Sequence, residues 1–170
     1  MYIPRDGYGS IDVLLESPVA FFSHRHAAYL AGLGTFGVNN MLLTREFGPR
    51  IRFGSVLTSA ILPPTHPIMA GQLCTRCMEC VLNCPSSALN PEDYPNGITD
   101  TYACAAISAT LNKRYAAPCG ICIKVCPVGE DRKFYRREDI GIYRDRNTSP
   151  GLHQAWDHVR AYGVRSGKEI

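Results

Sequence analysis

Apolar positions recur at helical spacing in the first stretch that carries any pattern. From Ser17 to Ala31 the residues Val19, Phe22, His26, Tyr29 and Leu30 keep that spacing, with Ser17 as N-cap and Pro18 in the first turn. Gly32 and Gly34 stop this helix. Asn40 to Thr44 and Arg50 to Ser59 then alternate, which predicts two strands joined by the turn-like Arg45–Pro49. The expected hairpin puts Ile51, Phe53 and Ser55 on one face. Pro63, Pro64, His66 and Pro67 read as a stiff linker. Beyond it, Ser86 to Leu89 is expected to form a short helix after Pro85, and Thr101 to Lys113 a longer one. Leu152, Trp156, Val159 and Tyr162 predict a closing helix before a frayed end from Ser166 to Ile170.

This order of elements predicts an α+β chain in three parts: residues 1–66, a cysteine-bearing domain over 67–130, and a helical tail over 131–170. At 170 residues and 45% hydrophobic content the chain is long enough to bury a core. A net charge of +3 neither demands nor excludes nucleic acid. The basic run Asp131–Asp139 is flanked by carboxylates, so it reads as a solvated helical face rather than a phosphate-binding patch. Met1 to Asp6 contains no apolar signal region. Ala27 to Val38, the longest weakly polar stretch, is broken by Tyr29 and Thr35 and is shorter than the ~20 residues a spanning helix needs. The expectation is a cytoplasmic protein with no membrane partner; composition says nothing of oligomeric state.

The eight cysteines change the picture most. Cys74, Cys77, Cys80 and Cys84 read CxxCxxCxxxCP, and Cys119, Cys122 and Cys126 read CxxCxxxCP with Cys104 upstream; no other internal repeat is evident. Thiolates three residues apart on an irregular loop can wrap a cubane cluster and take three of its irons, leaving the fourth ligand to come from elsewhere. Pro85 and Pro127 turn the chain away after the last cysteine of each run. In two-cluster ferredoxins the fourth cysteine of each run serves the other cluster. That rule assigns Cys74, Cys77, Cys80 and Cys126 to one 4Fe-4S cluster, and Cys84, Cys104, Cys119 and Cys122 to a second. No thiol is left over. Structural zinc prefers two CxxC-type pairs separated by a longer loop, and disulfides need an oxidising compartment.

Cys104 is expected near a helix N-terminus, where exposed amides favour an anionic cluster. Arg76 and Lys124 place positive charge beside the clusters. Gly120 lets backbone amides approach sulfur, whereas Pro118 stiffens the chain before the second run. Because metal binding contributes to folding, the segment from Cys74 to Cys126 is expected to be poorly folded without its clusters.

Two features invite other readings. Gly32-Leu-Gly34-Thr-Phe-Gly37 matches GxGxxG, yet a dinucleotide fingerprint follows a strand and opens a helix, and here the predicted order is reversed. A helix cap and tight turn fit better than a nicotinamide or flavin site. His24 and His26, two apart on a predicted helix, face different ways and cannot jointly grip one metal. A proton donor or substrate contact in Phe22–His26 remains a second reading, since histidine titrates near neutrality.

Ala27–Asn39, Leu42–Thr44, Phe47–Arg50, Ser55–Thr58 and the run Cys74–Pro85 together resemble the epoxyqueuosine reductase and reductive dehalogenase superfamily, over about Ile11 to Gly129. Cys104 matches the isolated cysteine before that family's second run. The resemblance implies a ferredoxin-like module with two 4Fe-4S clusters, preceded by a partial nitroreductase-like α/β segment that forms part of a cobalamin cradle. It further implies electrons passing from a ferredoxin- or flavodoxin-type donor through both clusters to a corrinoid that reduces an epoxide or a carbon–halogen bond. The segment before Cys74 is shorter than the family's N-terminal half. Thr35 and Val38 stand where the tRNA-modifying members carry Trp and Lys, and Asp12 and Glu16 lie out of register with their acidic proton donor. The chain after Cys126 lacks the helical repeats that grip tRNA, which argues against tRNA as a partner. No catalytic or cobalamin-binding residue is assigned. The leading expectation is a two-cluster electron-transfer protein acting toward a reductase centre. The alternatives are a corrinoid-dependent reductase completed by a further segment or partner chain, and a structural or sensing cluster protein.

Overall fold

The computed structural model describes residues 22–63, 71–95, 99–112, 119–154 and 157. The expected Ser17–Pro18 cap, most of the proline linker, Pro118, Trp156, Val159, Tyr162 and the 166–170 end lie outside these residues.

The first described helix, α1, is His24–Leu30. Ser23 holds an extended conformation and its hydroxyl accepts from the His26 amide, so it is the N-cap. This corrects the expectation of one helix running through residues 17–31. At the far end the Gly32 amide donates to the Tyr29 carbonyl and the Leu33 amide to the Ala28 carbonyl, the two bonds of a Schellman cap. The glycine segment therefore closes a helix and leads into a strand, as its context requires.

Two two-residue strands follow, β1 at Thr35–Phe36 and β2 at Leu42–Leu43, antiparallel with Thr35 opposite Leu43 and Phe36 opposite Leu42. Gly34 lies so close to β2 that a β-carbon there would stand 2.1 Å from the Leu43 carbonyl oxygen. Phe36 stacks obliquely on His26 and Tyr29 of α1. The hairpin expected between 40–44 and 50–59 is corrected: β2 pairs backward with β1, and residues 51–59 form no strand. Arg50, at the expected start of the second strand, instead donates from its guanidinium to the Cys126 carbonyl and to Asp131.

Two four-residue helices were not foreseen. Helix α2, Glu79–Leu82, lies between Cys77 and Cys84, and after helix α3 at Thr101–Asn112, helix α4 at Ile121–Lys124 lies between Cys119 and Cys126. The short helix expected at 86–89 is absent; that segment turns with Ser87 at φ 50 and bridges Leu89 to Thr99. The Ala88 amide donates to the Cys84 sulfur at 3.3 Å, wrapping the backbone round the thiol rather than into a helix. Helix α5 is Glu130–Phe134 and helix α6 is Gly141–Arg144. Residues 150–154 are helical as well.

The core joins the cysteine loops to the C-terminal region: Val38, Cys80, Leu89, Ile121, Val125 and Tyr143 form one buried cluster, with Leu152 against it. No described helix is long and apolar enough to cross a membrane.

Candidate metal centre

The two cysteine runs adopt the same local structure. In the first, Met78 sits at φ 63 and starts α2; in the second, Gly120 at φ 61 starts α4. Aligned on these residues, Cys77, Cys80 and Cys84 correspond to Cys119, Cys122 and Cys126. A left-handed residue after the first cysteine reverses the chain, and one helical turn then carries the second cysteine inward. The two short helices pack against each other.

All eight thiols are free. Cys80 and Cys126 are buried, Cys77 and Cys104 exposed, and the others between. Burial pushes the Cys80 thiol up to about 12, reinforced by negative charge on Cys77, Cys126 and Cys74. Burial also raises Cys126, with Cys77 and Cys74 adding to it while the Val128 amide and Arg50 oppose. Burial likewise pushes Cys122 up to about 12, followed by charge on Cys104, Cys119, Cys80 and Cys84. Cys104, exposed as a residue, has a thiol partly enclosed by its neighbours, which raises it, followed by charge on Cys119, Cys84 and Asp100; Cys119 is raised by burial and Cys84 against the Ile121 amide. Electrostatic contact thus gathers Cys74, Cys77, Cys80 and Cys126 in one group, and Cys84, Cys104, Cys119 and Cys122 in another. The groups meet through Cys80 and Cys122.

Each group has polar support from the backbone. The Val128 amide donates to Cys126, Ile121 to Cys119, Val81 to Cys80 and Ala88 to Cys84. The first group lines an apolar cavity closed by Val38 and Leu43. Cys104 lies in the first turn of α3, where Asp100 caps the Ala103 amide at 2.9 Å and its carbonyl takes the Cys104 amide. The amide of Cys104 is therefore already used, and the cap is itself anionic. Among the described residues no three histidine, cysteine or carboxylate side chains are disposed to share a single metal ion.

The N-terminal region grips the second run at two points. Asn39 donates to the Cys122 carbonyl at 3.2 Å. Arg50 donates to the Cys126 carbonyl at 3.0 Å and to the Val128 carbonyl, and holds Asp131 bidentately at 2.6 and 2.8 Å. Arg132, only 4% exposed, donates to the Cys126 carbonyl at 2.9 Å, to the Tyr143 hydroxyl at 3.0 Å and to the Lys124 carbonyl. The guanidinium beside Asp131 holds that carboxyl below its usual range.

These contacts correct the reading of Asp131–Asp139 as a uniformly solvated face. Lys133, Arg136 and Arg137 are exposed, but Asp131 and Arg132 turn inward. Arg76 is exposed and lies over the Tyr94 ring, 5.4 Å from its centroid, while Lys124 lies 5.1 Å from the centroid of Tyr143. Of the two histidines, His24 contacts Ser55 at 2.9 Å and His26 contacts Ser23 at 2.7 Å. Neither joins the thiols. The sequence signal that marks Arg50 and Arg132 is faint: one follows Gly48-Pro49, and the other lies six residues beyond the last cysteine.

No family model matches the chain, and no solved structure matches it. Among curated proteins, the tetrachloroethene reductive dehalogenase of Desulfitobacterium hafniense is 30% identical over 115 residues, covering 58% of this chain and 21% of that protein. The epoxyqueuosine reductase of Listeria monocytogenes is 30% identical over 118 residues, 65% of this chain and 30% of that protein. That of Bacillus anthracis is 28% identical over 131 residues, 69% of this chain and 32% of that protein. The chain spans about a fifth to a third of the length of these relatives. Over about 60% of its length, this chain is similar to epoxyqueuosine reductases and reductive dehalogenases.

Proposed function

We propose that the chain is a two-cluster electron-transfer unit. Cys74, Cys77, Cys80 and Cys126 hold one 4Fe-4S cluster in a ferredoxin-like module, and Cys84, Cys104, Cys119 and Cys122 hold the other. The observation that supports this reading is the matched geometry of the two cysteine runs, each passing through a left-handed residue into a four-residue helix, with the two helices packed together. Buried thiols that repel one another's thiolate forms need a compensating cation, and cluster iron supplies it. The apolar cavity at the first group and the amides aimed at sulfur fit such a cluster. Bound there, each cluster accepts and releases one electron without bond making. The chain's own part is to fix the ligands, exclude water around Cys80 and Cys126, and keep the two groups adjacent through Cys80 and Cys122. A ferredoxin- or flavodoxin-type donor and a reductase acceptor are the partners this role calls for.

The test is a redox titration of the anaerobically reconstituted chain followed by electron paramagnetic resonance. Two reversible one-electron transitions within the iron–sulfur range, about −700 to +450 mV, support a carrier; clusters that never reduce within it would leave the structural or sensing role. A corrinoid-dependent reductase is the second reading, favoured by the reductase names of relatives that are far longer than this chain. No residue is assigned to a corrinoid. Stoichiometric retention of added hydroxocobalamin supports this reading for the isolated chain, and its absence at saturation sinks it there.

A further inference from the structure

We propose that Arg50, Asp131 and Arg132 form a charge clamp that sets the reduction potential of the cluster held by Cys126 above that of the other cluster. The inference rests on the two-cluster reading. Three observations carry it.

Arg132 is a buried cation. Its hydrogen-bond acceptors are the carbonyls of Cys126 and Lys124 and the hydroxyl of Tyr143, all neutral. Among the described residues no carboxylate stands within ion-pairing distance of it. An arginine carries a permanent charge, and burying one away from an anion is costly. The neighbouring carboxylate, Asp131, already holds Arg50 through both oxygens. Asp131 also feels the Arg132 charge, and an anionic cluster on Cys126 supplies the rest of the counter-charge.

Second, Arg50 and Arg132 converge on one atom, the Cys126 carbonyl oxygen, from 76 positions before it and six after it. Cys126 belongs to the second run but is the ligand that crosses to the first cluster. The carbonyl of its counterpart Cys84 accepts from the Ser87 amide, and among the described residues no arginine reaches it.

Third, the net charge of the clamp is positive: Asp131 offsets one guanidinium and leaves the other. A fixed positive charge stabilises the reduced, more negative cluster and so raises its potential. Because Arg132 is buried, salt screens it weakly.

The experiment titrates the reconstituted protein and its Arg132→Gln, Arg132→Lys and Asp131→Asn variants. Arg132→Gln is expected to lower the reduced-to-oxidised ratio of one cluster about tenfold at fixed potential, a shift of ~59 mV for a one-electron couple, with a clearly smaller shift in the other. Asp131→Asn shifts that same midpoint upward, and Arg132→Lys leaves it near the wild-type value. The shifts persist in molar salt. Opposite signs separate electrostatics from loosened packing, which would move both variants one way. Equal movement of both midpoints, or none, overturns the clamp. If Arg132→Gln does not fold, the Asp131→Asn midpoint decides alone: upward supports the clamp, unchanged or downward overturns it. A wild-type chain that takes up fewer than two clusters defeats the two-cluster reading itself, a separate outcome.

Discussion

The two cysteine runs share a backbone and differ in what surrounds it. Each passes through a left-handed residue into a four-residue helix, Met78 then α2 in one, Gly120 then α4 in the other. In the first run Cys74 stands three residues before Cys77. In the second, Ala116 occupies that place, and Cys104 on α3 joins the group instead. The ends differ further. Helix α2 is closed by Asn83, which donates to the carbonyl and the carboxylate of Glu79, whereas the carbonyls after α4 are taken by two arginines, the nearby Arg132 and the distant Arg50. The loop motif thus suffices to place three thiols, and the missing ligand and the charge environment come from the rest of the fold.

The largest expected effect comes from exchanging ligands across the runs. Cys126→Ser should remove the cluster of Cys74, Cys77 and Cys80 and leave the other, although it lies in the second run; Cys84→Ser should do the reverse. Iron content and the electron paramagnetic resonance of each variant read the outcome. A Cys126→Ser variant that loses the cluster of its own run would mean the ligands do not cross.

Next in size is the grip of the N-terminal region. Arg50→Gln leaves Asp131 and the Cys126 and Val128 carbonyls short of a partner, and should destabilise the loaded protein by about 2–4 kcal/mol in chemical denaturation. Truncating Asn39 removes a single neutral bond to the Cys122 carbonyl and should cost about 1 kcal/mol. If the two cost the same, Arg50 is not the principal tie.

Asn39 and Arg50 each end a segment that carries the family resemblance, Ala27–Asn39 and Phe47–Arg50, but no local pattern says what either one binds. Ligand spacing is local, so the cysteines could be grouped from the sequence, and the helix from Thr101 could be read from its long periodic run. Arg50 and Asp131 meet across 81 positions, and nothing in either neighbourhood records the pairing. Strands of two residues are too short for alternation to register, while the alternation over 51–59 belongs to a segment that forms no strand. The basic run after Cys126 hid its one inward arginine among outward ones.

The same pair gives a pH signature. Arg50 lowers the Asp131 pKa in the folded protein, so this contribution is present above the ordinary carboxyl value near 4 and fades as pH falls through the depressed folded value. The stability difference between wild type and Asp131→Asn should therefore be constant from neutral pH to about 5 and shrink at more acid pH. A difference that grows on acidification contradicts the assignment.

The smallest effect separates the two turns. Met78 holds φ 63 with a side chain, at a cost of about 1 kcal/mol that Gly120 does not bear. Met78→Gly should recover part of this, less the packing of the methionine against the core, whereas Gly120→Ala should destabilise by about 1 kcal/mol. Denaturant midpoints of the loaded variants check both signs.

The central claim, that eight thiols form two sets of four, is tested most directly by counting iron and acid-labile sulfide per chain after anaerobic reconstitution. The account predicts the content of two 4Fe-4S clusters, with all eight cysteines protected from alkylation. The content of one cluster, or stoichiometric zinc in place of iron and sulfide, would contradict it.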